Sequence, residues 1–261
     1  MKRYRFFPSN AASQPRRALS LALAGIAAVS APNGARAGEA CTAASARQVA
    51  PVVELYTSEG CNSCPPADRW LSTLKADPAV VALAFHVDYW DRLGWKDRFA
   101  SAAFTSRQAA QQSTNGARFS YTPQVVVDGR DRTDWSRATV STSGRPAAAV
   151  DVAVARQGDR FVATVTPAAG APQRLAAYWA VTEQGHVTAV KAGENEGVTL
   201  RHDFVVRDYE PVNAWAARSG AGTTFSFRPA TAPDAAHPRN VNLVVVDAAT
   251  GRPVQAVKVA C

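Results

Sequence analysis

The sequence predicts an α/β domain followed by an all-β sandwich domain, because its pattern changes near the middle of the chain. In the first half, apolar strand segments alternate with helical segments, which is typical of α/β layers. From about Arg145 onwards, several short strand segments follow one another at close spacing, which favours a sandwich. A linker-like run, 143–146, separates the two patterns.

The first half begins with a strand at 51–56, whose residues are mostly β-branched, apolar or aromatic. A helix follows, because proline is tolerated in a first helical turn and Trp70, Leu71 and Leu74 lie at helical spacing. The later elements predicted here are a strand at 79–87, a helix at 97–112, a strand at 124–127 ending in an Asp-Gly hairpin turn, and a short helix at 135–140.

The strand segments predicted in the second half are all short and carry β-branched or aromatic residues. They are 150–155, 161–166, 175–182, 199–207, 223–227, 242–247 and 255–259. Turn residues separate several of them, at Gly158, Gly185 and Gly251.

A C-x-x-C motif, Cys61-Asn62-Ser63-Cys64, lies between the first strand and the first helix. A cysteine at a helix N-terminus has a lowered pKa, because the helix dipole and free N–H groups stabilise the thiolate. We therefore expect Cys61 to be the nucleophile and Cys64 to resolve a mixed disulfide formed at Cys61. The motif predicts a redox-active dithiol.

Two other interpretations of this motif stay open. A zinc site needs further ligands at similar spacing, and the four histidines are scattered through the sequence. A structural disulfide closes only a short loop here and gains little stability from it. His86 is interpreted as a hydrogen-bonded core residue rather than a ligand.

The N-terminal 37 residues have the pattern of a secretory signal peptide, with basic residues, an apolar run at 19–29 and a small-x-small cleavage site at 35–37. They hold six basic residues and no acidic ones, so 23 basic and 21 acidic residues remain after cleavage, a net charge of +2. This balance gives no indication of nucleic-acid binding. We predict a periplasmic or secreted protein with no stable membrane anchor once the signal is removed; the alternative is an uncleaved anchor.

The predicted organisation is therefore a signal peptide at 1–37, an N-terminal tail with Cys41 at 38–47, the α/β domain at 48–144 and the sandwich at 145–261. Four cysteines in an oxidising compartment allow three pairings. The simplest joins Cys61 to Cys64 and Cys41 to Cys261, and the second bond is expected to stabilise the fold by about 4–5 kcal/mol. Alternatively, Cys41 is a free or resolving thiol.

The strand, the C-x-x-C helix and the later Thr122-Pro123 before a hairpin together resemble the thioredoxin superfamily. More narrowly, the chain resembles DUF1223, a family of bacterial secreted thioredoxin-like proteins. The segments that carry this second resemblance are 53–68, 85–91, 94–97, 121–124, and 193–195 with His202. The resemblance implies that the α/β domain is thioredoxin-like.

The resemblance also implies roles for individual residues. Cys61 matches the attacking cysteine and Cys64 the resolving one, Pro123 matches a cis-proline that faces the disulfide, and Thr122 offers backbone groups to an extended substrate. Glu54 lies near the position of a buried acid that relays a proton to Cys64; alternatively, it forms a structural pair.

The aromatic loop 88–97 is a candidate substrate wall beside the disulfide, or a loop packed against the second domain. We thus expect an exported thiol–disulfide oxidoreductase that uses Cys61 and Cys64, needs no organic cofactor, binds no nucleic acid and acts on protein or small thiol substrates. The alternatives are a copper(I)-binding protein with His86 as third ligand, and a non-enzymatic binding module.

Overall fold

The computed structural model describes residues 41–261 of the chain. The predicted signal peptide and its cleavage site lie outside the described residues. The strands of the described part are β1 Thr42–Ala44, β2 Val52–Thr57, β3 Val81–His86, β4 Gln124–Val127, β5 Arg130–Asp131, β6 Val150–Gln157, β7 Arg160–Pro167, β8 Arg174–Glu183, β9 His186–Ala189, β10 Thr199–His202, β11 Val205–Ala216, β12 Thr223–Phe227, β13 Arg239–Asp247 and β14 Pro253–Ala260. The α-helices there are α1 Pro65–Thr73 and α2 Ala102–Asn115, and short 3-10 helices cover Leu74–Ala76, Asp91–Leu93 and Trp135–Arg137.

Eight strands form one sheet in the order β14-β13-β8-β11-β3-β2-β4-β5, so both halves of the sequence build the same sheet. The junction is β11, which is parallel to β3 at Val205 and Ala84 and antiparallel to β8. The predicted fold class, a thioredoxin-like α/β domain followed by an all-β sandwich domain, is therefore wrong: the described chain is mostly β. The physical reason is that β11 pairs with backbone groups that an independent first domain leaves unpaired at the edge of β3.

Two further sheets complete the fold. A four-stranded antiparallel sheet, β1-β6-β7-β12, shares an apolar core with β8, β13 and β14, in which Trp179 stacks on Phe227 at 5.3 Å. The strands β9 and β10 form a separate antiparallel hairpin that pairs His186 with His202. This hairpin carries one of the buried histidines described below.

The two helices pack on opposite faces of the large sheet, so each side chain of β2 points either towards α1 or towards α2. Val53 and Leu55 contact the core beneath α1, whereas Val52 and Tyr56 contact the core beneath α2. Successive side chains of a strand point to opposite faces. Glu54 therefore points away from α1 and from the cysteines at its start.

The helix α2 begins at Ala102 rather than at Asp97, where the sequence pattern placed its start. Ser101 caps the helix by accepting a hydrogen bond from the backbone N–H of Ala103. The carboxylate of Asp97 is instead bonded to groups outside the helix. Among the described residues, no helix is long and apolar enough to cross a membrane.

Candidate functional site

The C-x-x-C motif lies in the turn that connects β2 to α1. Cys64 is the N-cap of α1, and its carbonyl accepts hydrogen bonds from the backbone N–H groups of Ala67 and Asp68 at 2.9 and 3.2 Å. The helix thus starts immediately after the second cysteine. We expected Cys61 at the helix N-terminus; it lies three residues earlier, with its carbonyl bonded to the N–H of Cys64 at 3.2 Å.

All four cysteines of the chain are paired, as Cys61–Cys64 and Cys41–Cys261, which confirms the prediction of disulfides. Neither Cys61 nor Cys64 is exposed to solvent, although Asn62 and Ser63 between them are. The sulfur atoms are therefore covered by protein in this state.

Two hydroxyl groups contact the sulfur of Cys61. Thr122 Oγ1 donates a hydrogen bond to Cys61 Sγ at 3.3 Å, and Ser63 Oγ lies 3.3 Å from the same atom. Trp90 Nε1 donates to Thr122 Oγ1 at 2.8 Å, which leaves the hydroxyl proton of Thr122 free to point at the sulfur. The Thr122–Pro123 peptide bond is cis, and β4 follows at once. The side chain of Thr122, for which only backbone contacts were expected, thus belongs to the site.

A segment from the second half of the chain covers the cysteine loop. Asn195 Nδ2 donates to the carbonyl oxygens of Glu59 and Cys61 at 2.8 and 3.0 Å. Glu194 Oε2 accepts from the backbone N–H of Asn62 at 3.2 Å. Gly193 has φ +77°, and a side chain there would meet Trp95 Cβ at 3.2 Å, so this position requires glycine.

The aromatic loop 88–97 lies against the cysteine turn, where its tryptophans act as hydrogen-bond donors. Trp90 reaches Thr122, and Trp95 Nε1 donates to Glu59 Oε2 at 2.8 Å. A Cβ atom at Gly60 would lie 3.2 Å from Trp90 Cβ, so the loop backbone approaches the turn closely.

Beside the cysteine turn lies a buried polar cluster, which we call the histidine–carboxylate cluster. Its members are Glu59, Asp68, His86, Asp97 and His202, none of them more than 6 % exposed. His86 Nδ1 lies 2.6 Å from Asp97 Oδ2, and His202 lies 3.5 Å from Glu59 Oε1 and 3.7 Å from Asp68 Oδ1. Ligand atoms of Asp68, His86 and His202 all lie within 4.8 Å of one another, so these three residues are the candidate metal ligands.

The charges within this cluster shift the pKa values of its members. Burial lowers the pKa of His202, but the carboxylates of Asp68 and Glu59 outweigh burial and raise it to about 9. Burial raises the pKa of Asp97, but His86 and the backbone N–H of Glu59 outweigh it and lower this pKa below its usual value. The cluster thus stabilises the ionised form of Asp97 in the protein interior.

Glu54 lies on the other face of the sheet from this site, where it forms the structural pair that was the alternative to a proton relay to Cys64. It is an ion-pair partner of Arg107 on the opposite face of the sheet, with Oε1 2.5 Å from Arg107 Nη2. The same oxygen accepts from Tyr178 at 2.5 Å, and Oε2 accepts from Tyr56 at 2.9 Å. The alternation of side chains along β2 explains the placement.

The remaining predicted residues lie as follows. Cys41, just before β1, and Cys261, just after β14, have Cα atoms 5.7 Å apart. His86 is hydrogen-bonded to Asp97 in the interior, as a core histidine is expected to be. Sequence reasoning assigned no role to Glu59, Asp68, Asp97 or Asn195, although all four fall inside the segments that carry the DUF1223 resemblance.

The fold and the site thus define the class of this protein: it is mostly β and has a C-x-x-C disulfide that is covered by protein. A family model described as "Protein of unknown function (DUF1223)" matches residues 52–246. The chain belongs to this family.

Two solved structures are similar to the chain. Protein AGR_C_4864 from Agrobacterium tumefaciens is 26% identical, with a TM-score of 0.61, and the match covers 82% of this chain and 96% of that one. HBP35 of Porphyromonas gingivalis is 16% identical, with a TM-score of 0.55, covering 83% of this chain and 76% of that one, and shows a likeness of fold alone. No curated protein matches the chain.

Proposed function

We propose that this protein is an exported thiol–disulfide oxidoreductase whose reactive group is the Cys61–Cys64 disulfide. The observation that carries the proposal is the hydroxyl of Thr122, 3.3 Å from Cys61 Sγ and oriented by Trp90. A hydrogen bond from a hydroxyl to sulfur stabilises a thiolate more than a thiol, because charge-assisted bonds are the stronger ones. Cys61 is thereby suited to leave and to attack as a thiolate.

The exchange runs in two steps with a dithiol substrate. A substrate thiolate attacks Cys61 Sγ, the bond between Cys61 and Cys64 breaks, and Cys64 leaves as a thiolate at the N-terminus of α1. The second substrate thiolate then attacks the substrate sulfur of the mixed disulfide and releases the Cys61 thiolate. Two electrons pass from substrate to protein, the substrate gains a disulfide, and its two protons go to Cys61, Cys64 or solvent. The reverse sequence reduces a substrate disulfide.

The two disulfides support the exported location, because disulfides persist in oxidising compartments. The substrate is a protein or small thiol. Thr122 borders the attacked sulfur, and the exchange itself needs no organic cofactor.

A redox titration of the oxidised mature protein tests this proposal. We expect the Cys61–Cys64 pair to be reduced and reoxidised reversibly, with a midpoint between about −120 and −270 mV, the range of dithiol oxidoreductases. Alkylation at each potential, followed by peptide mapping, reads this pair separately from Cys41–Cys261. A midpoint below about −300 mV for Cys61–Cys64 contradicts the proposal, because that range belongs to structural disulfides.

Access to the sulfur atoms requires the cover to move, since Cys61 and Cys64 are fully buried. We expect Asn195→Ala to speed the reduction of Cys61–Cys64 by dithiothreitol about tenfold, because it removes two hydrogen bonds worth about 0.5–1.5 kcal/mol each. The rate of thiol appearance, mapped to these two cysteines, is the measurement.

A matched control for this variant is Asn242→Ala. Asn242 is equally buried and also donates two hydrogen bonds, to Ala180 O and Thr182 Oγ1, but it lies on β13. If both variants are reduced equally faster, the effect comes from a general loss of stability and not from the removal of the Asn195 hydrogen bonds over the cysteine turn.

A further inference from the structure

The histidine–carboxylate cluster contains polar atoms that lack partners. Among the described residues, His86 Nε2, both ring nitrogens of His202 and Glu59 Oε1 are buried without a hydrogen bond. A buried polar atom without a partner costs about 1–3 kcal/mol. Two of these atoms, His202 Nε2 and Glu59 Oε1, lie 3.5 Å apart, and the other two, His86 Nε2 and His202 Nδ1, call for a bound group.

The unpartnered nitrogens point to specific ligand atoms. His86 Nδ1 is held by Asp97, so Nε2 is the free atom of this ring. His202 faces Asp68 Oδ1 through Nδ1 at 3.7 Å and Glu59 Oε1 through Nε2 at 3.5 Å. Asp68 Oδ2 accepts from Thr57 Oγ1 at 3.0 Å, which leaves Oδ1 facing the two rings.

This pattern matches the surroundings of metal-bound histidines in proteins. Such a histidine binds the metal with one nitrogen and donates the other N–H to a carboxylate, which fixes the tautomer and the ring orientation. Here Asp97 stands behind His86, and Glu59 stands behind His202. His86 thus has its supporting hydrogen bond in place, and His202 has a carboxylate oxygen 3.5 Å from its second ring nitrogen.

The charge of the cluster also favours a cation. Glu59, Asp68 and Asp97 are three buried carboxylates beside two imidazoles. Their ion-pair partners among the described residues are His86 and His202 alone, and no lysine or arginine pairs with any of the three, so carboxylates outnumber the cationic partners. Buried charge is costly unless it is paired or bound to a metal.

We propose that Asp68 Oδ1, His86 Nε2 and His202 Nδ1 bind a divalent transition-metal ion of the zinc class. Two imidazoles and one carboxylate suit zinc and its neighbours in the first transition series, whereas calcium and magnesium prefer oxygen ligands alone. One ligand atom from each of the three residues already lies within 4.8 Å of the other two. The site is independent of thiol–disulfide exchange, because no sulfur atom belongs to it.

Thermal unfolding of the oxidised mature protein in Zn²⁺ and in EDTA tests the proposal. The oxidised protein has no free thiol, so nitrogen and oxygen atoms are its only metal ligands. A ligand that binds the folded state raises the unfolding midpoint. We expect excess Zn²⁺ to raise it by about 5–10 °C relative to EDTA. We expect His86→Asn and His202→Asn to abolish this rise.

The matched control is His237→Gln, which removes a half-buried histidine that stacks on His186 at 3.7 Å outside the cluster. This variant and Cys61→Ser/Cys64→Ser are expected to keep the full rise. Should the ligand variants fail to fold, Asp97→Asn is expected to weaken binding about 10–100-fold in a Co²⁺ titration. Wild-type protein should show Co²⁺ d–d bands without sulfur charge-transfer bands. The proposal is overturned if wild-type protein shows neither the rise nor the bands, or if both histidine variants keep the rise.

Discussion

Replacing Cys41 and Cys261 with serine is expected to lower the free energy of unfolding by about 5 kcal/mol. The bond joins residues 220 positions apart, so in the chain-entropy model it removes a large share of the freedom of the unfolded chain. It also holds β1 beside the end of β14, where Cys41 packs against the core of the four-stranded sheet. Urea denaturation followed by circular dichroism measures the change.

The matched control is Cys61→Ser/Cys64→Ser, which makes the same chemical change in a loop with a separation of three residues. The same model gives about 2 kcal/mol for so short a loop. If the terminal pair costs no more than this control, loop closure is not what the bond between the chain ends contributes.

The positions of most strands could be predicted from the sequence, because alternation and β-branched content are local signals. The strands β4 and β12 were predicted with the bounds that the structure has, and β2 to within one residue. The hairpin strand β9 was missed, since His186–Ala189 is short and half of its side chains are polar.

The arrangement of those strands could not be predicted in the same way. The pairing of β11 with β3 depends on a contact between Val205 and Ala84, which are far apart in sequence. Neither segment carries a signal for the other, so the sequence pattern suggested two consecutive domains, whereas both halves of the chain contribute strands to the eight-stranded sheet.

The site could be predicted only where its residues lie in local sequence motifs. Cys61, Cys64 and Thr122 fall in local motifs with known geometry. The histidine–carboxylate cluster instead joins β3, α1 and the end of β10 through His86, Asp68 and His202. Scattered histidines argued against a metal site on grounds of spacing, but a fold can bring them together.

Glu54→Gln is expected to lower the free energy of unfolding by about 3–5 kcal/mol. The variant leaves the guanidinium of Arg107 buried without its carboxylate partner, against Tyr178 at 3.8 Å and with one hydrogen bond to Tyr209. Burial lowers the pKa of Arg107, but Glu54 outweighs burial and raises this pKa well above its usual value. Arg107 nevertheless keeps its charge in the variant, because a guanidinium is not deprotonated in proteins.

A double-mutant cycle with Arg107→Met isolates the ion pair from the packing around it. Removing both charges leaves no unpaired ion in the core, so Glu54→Gln/Arg107→Met is expected to cost less than the sum of the two single changes. Urea denaturation of the four proteins gives the coupling free energy, and additive losses contradict the assignment.

In Glu54→Gln, the midpoint potential for reduction of the Cys61–Cys64 disulfide is expected to match the wild-type value. The reason is that Glu54 is hydrogen-bonded to side chains beneath α2 and not to the cysteine turn. A shifted midpoint potential would instead support a role for Glu54 in proton transfer to Cys64.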